Sequence, residues 1–310
     1  MRLSIVTTLY NSAQYLETFY DRVTSSARKI TDDYEIVFVN DGSPDNSLEA
    51  AIALYERDER VRVVDLSRNF GHHKAMMTGL EHARGDLVFL LDCDLEEDPE
   101  ILVEFYDEMK RSGADVVYGV QEKRKGTLVE RLSGEIFYRT FNVLSASPIP
   151  RNLTTARLMT RRYVNALLLH RERELAIAGL WAITGFNQVP IPIVKRSSMN
   201  EGYTLRKRVA IFVDFVTSFS SKPLVFIFYL GCAIILASVI AALDLILRVV
   251  FYGDPLAGWP SLIISVWLLG GLSIFCLGVI GIYLSKVFSE TKQRPYTIVR
   301  ELYEHVPGKG

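Results

Sequence analysis

Apolar residues in the first third of the chain come in short runs, each closed by a polar cluster. Residues 3–8, 34–39, 61–66 and 88–91 have strand length and are rich in Val, Ile, Leu and Phe, so each predicts a buried strand. Between them the apolar positions fall at helical spacing. Tyr15, Leu16, Phe19 and Val23 follow the first run, and residues 47–55 and 75–82 follow the second and third. Strands alternating with helices predict an α/β fold, a mostly parallel sheet with helices on both faces.

The run at 88–91 ends in Asp92-Cys93-Asp94. Side chains at i and i+2 of a strand project the same way, so the two carboxylates meet at its C-terminal end. Open α/β sheets bind ligands at that rim. Two adjacent carboxylates repel, and a divalent cation between them and a phosphorylated ligand relieves the repulsion. The plainer alternative is an acidic turn. Asp41 closes the second strand in the same way, while Ser43 and Asp45 beyond it read as helix caps.

The pattern changes near Pro223. Residues 223–243 and 259–285 carry no charge, and each exceeds the roughly 20 residues needed to cross a bilayer. The connector 252–258 has no Lys or Arg. Arg206, Lys207, Arg208 and Lys222 precede the first stretch, and Lys286, Lys292 and Arg294 follow the second. This asymmetry predicts two transmembrane helices, 223–251 and 259–285, with residues 1–202 and a tail, 286–310, in the cytoplasm. Residues 203–222 place Leu205, Val209, Phe212, Val213, Val216 and Phe219 on one helical face, predicting an amphipathic helix lying on the membrane surface. The same pattern also suits a helix facing a core.

Composition adds little. The 310 residues carry a net charge of −1, which argues neither for nor against nucleic acid, and nothing else points to that partner. Three widely spaced cysteines make no disulfide framework and suit a reducing compartment. No Gly-x-Gly-x-x-Gly follows the first strand and no P-loop occurs, which removes the dinucleotide-dependent and P-loop readings.

Four motifs in order, Thr7-Thr8-Leu9-Tyr10-Asn11, Val39-Asn40-Asp41-Gly42-Ser43, Leu66-Ser67-Arg68-Asn69-Phe70-Gly71-His72 and Asp92-Cys93-Asp94, resemble those of family 2 glycosyltransferases of GT-A fold. The two C-terminal stretches, with Gly258-Trp259-Pro260-Ser261 and Glu290-Thr291-Lys292-Gln293-Arg294-Pro295, narrow the resemblance to enzymes that glycosylate polyisoprenyl phosphates. It implies that Asp41 bonds the uracil or ribose of a UDP-sugar and that Thr8, Tyr10 and Asn11 line the nucleotide pocket. Arg68, Gly71 and Lys74 border that pocket. Asp92 approaches the ribose or sugar, and Asp94, with Asp92, holds Mg²⁺ or Mn²⁺. Arg124, with Arg131 second, meets the acceptor phosphate, and Arg157 joins the catalytic group. The resemblance also implies a bacterial inner-membrane location and a homo-oligomer, a tetramer in similar enzymes.

The chain departs from the family pattern at three places: Glu201-Gly202-Tyr203 replaces the usual Ser-Lys-Tyr, Gly281-Ile282-Tyr283 replaces a Gly-Glu-Tyr, and the third lies beside Arg157. Thr155-Ala156-Arg157-Leu158-Met159 stands where Asp-Phe-Arg-Leu-Met is usual, so an acid often treated as catalytic is a threonine. An alcohol acceptor needs a general base, but a lipid phosphate, with a second pKa of about 6, is already a nucleophile at neutral pH. Inverting transfer of a sugar, with UDP-hexose as the expected donor, to undecaprenyl or another polyprenyl phosphate is therefore the first expectation, serving envelope glycan modification. A glycan-extending membrane synthase and a non-enzymatic nucleotide-sensing scaffold are the alternatives.

Overall fold

The computed structural model describes residues 1–121, 153–172, 177–195, 222–252 and 258–305. They fall into two compact units, an α/β unit that takes in the chain again from Gln293 and a second unit containing two long helices.

The α/β unit is built on one eight-stranded sheet. β1 (Leu3–Leu9), β2 (Tyr34–Asn40), β3 (Val61–Leu66) and β4 (Leu87–Leu90) are parallel neighbours with β1 in the middle. All four are buried on both faces, which explains why their sequences run apolar rather than alternating. β5 (Val116–Gln121), β6 (Leu153–Thr160), β7 (Gln188–Ile193) and β8 (Val299–Tyr303) complete the order β7-β5-β6-β4-β1-β2-β3-β8. β6 enters antiparallel between β4 and β5, and β8 pairs antiparallel with β3. The sheet is thus mixed rather than mostly parallel, because strands added after β4 return to its flanks in both directions.

One face is covered by α1 (Ala13–Arg28), α2 (Ser47–Arg57) and α4 (Ile101–Ser112), whose Leu16, Phe19, Leu54, Leu102 and Phe105 pack with Ile5, Ile36, Phe38, Val63 and Phe89. The other face carries α3 (His72–His82). At Gly79 this helix comes so close that an added Cβ would lie 2.5 Å from Val6 Cγ1 and 2.9 Å from Val39 Cγ2. Burial of these side chains, each worth about 1.5–3 kcal/mol, fixes which rim the loops share. Two short helices, α5 (Arg161–Leu167) and α6 (Ile177–Ile183), follow β6. The helix expected over 75–82 starts three residues earlier, which brings His72 into its first turn.

The long helices are α7 (Lys222–Tyr252) and α8 (Trp259–Thr291). Within α8, Ser265–Thr291 contains an 18-residue stretch with a mean hydropathy of 2.1 that is unburied, and by length and composition it is the one helix among the described residues fit to cross a membrane. In α7 the apolar stretch found among the described residues is Leu224–Ile234, shorter than a crossing. The expected tail, 286–310, supplies β8, an edge strand that caps β3. Arg124, Arg131 and nearly all of the amphipathic segment 203–222 lie outside the described residues.

Candidate active site

β1 to β4 run in parallel, so their C-terminal ends share one rim, and the loops that follow them meet there. Asp41 follows β2 and is buried. One carboxylate oxygen accepts the Phe70 N–H at 2.7 Å and the other the Gly71 N–H at 3.1 Å. Burial pushes this carboxyl up, against those two amides and the positive charges of His72 and Arg68. In this structure Asp41 therefore organises the loop after β3. Two glycines permit the arrangement. Gly42 has φ +60°, and a Cβ on it would lie 2.4 Å from Asn69 N. Gly71 has φ +102°, a conformation that side chains other than hydrogen rarely adopt.

His72 opens α3 and ties two strand ends together. Its Nδ1 is 3.0 Å from Thr8 Oγ1, and its Nε2 is 3.3 Å from Asp92 Oδ1. Burial alone would lower this imidazole, but the Asp92 carboxylate, reinforced by Asp41 and Asp94, holds it above its ordinary range. Asp92 shows the converse. Burial would raise it, yet His72, the Thr155 hydroxyl and the charge of Lys195 hold it below the usual carboxylate range. The register of β6 on β4, Leu90 opposite Arg157, explains the Thr155 contact: residue 155 lies just past the end of β4, beside Asp92. The position where the family pattern carries an acid thus faces the first Asp of the pair.

Asp94 lies open at the rim, its Oδ1 accepting the Glu96 N–H at 3.0 Å. Loss of solvation pushes its carboxyl up, and the nearby Asp92 and Glu96 add to this. Leu95 between them has φ +58°, the left-handed turn that brings Glu96 N back to Asp94. Glu97 is buried, accepts the Ala156 N–H at 2.8 Å, and is pushed up to about 7 by burial and by the charge of Asp92. Lys195, just beyond β7, sits 2.7 Å from Glu96 and 3.8 Å from Glu97.

The remaining expected residues divide into two groups. Tyr10, Asn11 and Arg68 are exposed at the rim and Lys74 is half-buried there. Asn11 N–H donates to Ser43 Oγ at 2.8 Å, and the Arg68 guanidinium lies 4.0 Å over the Phe70 ring. Arg157, in contrast, is wholly buried. It stacks on Trp181 at 2.9 Å, reaches the Thr154 and Thr155 carbonyls only at 3.4 Å, and underlies the rim rather than lining it. Burial pushes it down to about 9, still charged at neutral pH. Sequence reasoning weighed His72 and His73 as metal or phosphate contacts or as helix-start packing, not as a bridge, and missed Lys195 altogether. The histidine pair at the start of α3 was a visible signal; Lys195 had none.

The described residues contain no cluster of three or more His, Cys, Asp or Glu side chains able to hold a metal. Asp92 and Asp94 do suit an ion that takes one or two carboxylates and completes its shell from phosphates and water, as Mg²⁺ does. Asp92 Oδ1 is buried, and His72 Nε2 at 3.3 Å makes no hydrogen bond of good geometry to it, which leaves a lone pair that such an ion would take.

Comparison with known proteins decides the family. The model for glycosyl transferase family 2 matches residues 4–168, more than half of the chain, including the loops that follow β1 to β4. The chain belongs to this family. A Mycobacterium tuberculosis protein named among the glycosyltransferases is 56% identical to this glycosyltransferase, over 98% of this chain and 89% of its own length. The prophage bactoprenol glucosyl transferase homolog of Escherichia coli is 31% identical, over 97% of this chain and 99% of its own. Among solved structures, the mannosyltransferase PcManGT from Pyrobaculum calidifontis, in complex with GDP-Man and Mn²⁺, is similar with a TM-score of 0.50 and 17% identity, covering 94% of this chain and 88% of that one. That likeness bears on the fold, a mixed α/β sheet of GT-A type.

Proposed function

We propose that this glycosyltransferase moves a sugar from a nucleotide sugar, UDP-hexose first, to a polyprenyl phosphate at the cytoplasmic face of a bacterial cell membrane, with inversion. The observation that carries the reading is the rim itself, where a loop organised by Asp41 adjoins the Asp92–Asp94 pair. Relatives named bactoprenol glucosyl transferase, similar over nearly the whole chain, support the acceptor class. The apolar helix Ser265–Thr291 supports a membrane location. The uncharged stretch at 223–243 and the Lys and Arg outside the connector support a second crossing with both termini inside.

In this reading Thr8, Tyr10 and Asn11 with the 67–71 loop receive the nucleotide, and Arg68 and Lys74 offer charge to it. Asp94 and Asp92 would hold Mg²⁺ or Mn²⁺, which when bound offsets the charge growing on the departing UDP. His72 and the Thr155 hydroxyl fix the Asp92 carboxylate. The acceptor phosphate is already anionic, so the protein's task is to bring it in line with the anomeric carbon and screen the two anions. Arg124 and Arg131 are assigned to that phosphate.

The test is release of UDP from UDP-glucose by the full chain in detergent, with and without undecaprenyl phosphate and Mn²⁺. Release that needs both supports the reading. Release indifferent to the lipid, or coupled to growth of a glycan, overturns it.

A further inference from the structure

Asp65, next to the last residue of β3, is a buried carboxylate. One of its oxygens accepts from Asn40 Nδ2 at 2.8 Å. Asn40 in turn accepts the Ser43 N–H at 3.2 Å and is followed directly by Asp41. The other Asp65 oxygen lies 3.4 Å from Nη1 of Arg300, which comes from β8. The same guanidinium donates through Nη2 to the Ser67 carbonyl at 2.7 Å. Arg300 thus touches the start of the 67–71 loop directly and the 41–46 loop through Asp65 and Asn40.

The backbone is shaped for this contact. β8 pairs Glu301 with Asp65 but Val299 with Leu66, so the register slips by one and Arg300 is the extra residue of a bulge. Bulges at sheet edges re-aim a side chain, and here the bulged residue is the one that contacts Asp65 and the Ser67 carbonyl. The strand is anchored independently on either side. Ser67 N–H donates to Ile298 O at 2.9 Å, and at the far end Glu304 accepts from Arg62 at 2.8 Å and Arg84 at 2.7 Å.

We propose that Arg300 is a positioning residue for the nucleotide pocket, bracing from the C-terminal strand the two loops that Asp41 joins. The inference rests on the proposed function for what the pocket binds, but not for the brace itself. Without the guanidinium, Asp65 keeps a buried charge with one donor and the Ser67 carbonyl loses a charge-assisted partner.

The experiment uses the full chain in detergent and compares Arg300→Met, Arg300→Lys and Glu304→Gln. Amide hydrogen exchange at Phe70 and Gly71 reads the loop, and KM for UDP-glucose reads the pocket. Arg300→Met is expected to speed that exchange about tenfold and raise KM about tenfold, the loss of one charge-assisted bond, with kcat changed by less than about twofold. Arg300→Lys restores most of both. Glu304→Gln lowers the melting temperature but moves neither. Unchanged exchange in Arg300→Met, or equal changes in Glu304→Gln, overturns the proposal. Arg300→Gln carries the same test should Arg300→Met not fold. Exchange needs no substrate, so a wild-type chain inactive on UDP-sugars would refute the proposed function and leave the brace decided on its own.

Discussion

Asp41→Asn isolates the contact that shapes the proposed nucleotide pocket. The wild-type carboxylate receives two backbone N–H groups, from Phe70 at 2.7 Å and Gly71 at 3.1 Å. An amide keeps one acceptor oxygen and turns an NH₂ toward the second donor. One charge-assisted bond is lost, the other becomes neutral, and one loop amide faces a donor in a buried setting. Bonds to charged groups contribute about 1.5–3 kcal/mol and an unmade buried bond costs about 1–3, so the closed loop should lose about 2–4 kcal/mol. If UDP binds only the closed loop, its Kd rises by at most about 30- to 700-fold. Calorimetric titration of UDP in the presence of Mn²⁺ measures this, and hydrogen exchange at residues 68–71 shows whether the loop has opened. Affinity within about threefold of wild type, with loop exchange unchanged, would refute the role given to Asp41.

Three further outcomes follow from the geometry. Glu97 has a folded-state pKa raised to about 7, so its stabilising contribution is complete below the unfolded value near 4.5 and is lost as pH rises through 7; in chemical denaturation Glu97→Gln should match wild type near pH 5 and be more stable by roughly 2–3 kcal/mol at pH 8, and an equal difference at both pH values would contradict this. Thr155→Ala removes a hydroxyl donor to Asp92 but no base, so turnover on polyprenyl phosphate should fall by less than about tenfold; abolished turnover with UDP-sugar binding intact would show that the threonine takes part in the chemistry. Gly42→Ala places a Cβ 2.4 Å from a backbone nitrogen at φ +60°, and should lower the melting temperature by about 5 °C or more, whereas an unchanged melt would mean the two loops do not meet as described.

The strands β1 to β4 were legible because a strand buried on both faces must be apolar throughout, and each ends where its polar cluster begins. Asp41, Asp92 and Asp94 were legible for a related reason, since a carboxylate directly after such a run has only the rim to occupy. What escaped the sequence depends on which distant segments meet. His72 joins Thr8 to Asp92 across 64 and 20 positions, and nothing local in a His-His-Lys helix start specifies those partners. Lys195 reaches Glu96 only because β7 pairs with β5. β8 is a five-residue charged stretch, Val-Arg-Glu-Leu-Tyr, whose strand character comes from the open edge of β3 rather than from its own composition. Arg157 became a catalytic candidate through the Arg-Leu-Met resemblance; its burial against Trp181 depends on a residue 24 positions away and is not written in that local pattern.

In the proposed function two carboxylates at the sheet rim grip a cation-bound nucleotide diphosphate. This grip is tested most directly by titrating UDP into the wild-type chain and into Asp94→Ala, each with and without Mn²⁺. Wild-type affinity should depend strongly on the ion, and Asp94→Ala should lose the ion-dependent part. UDP binding of equal strength in all four titrations would contradict it.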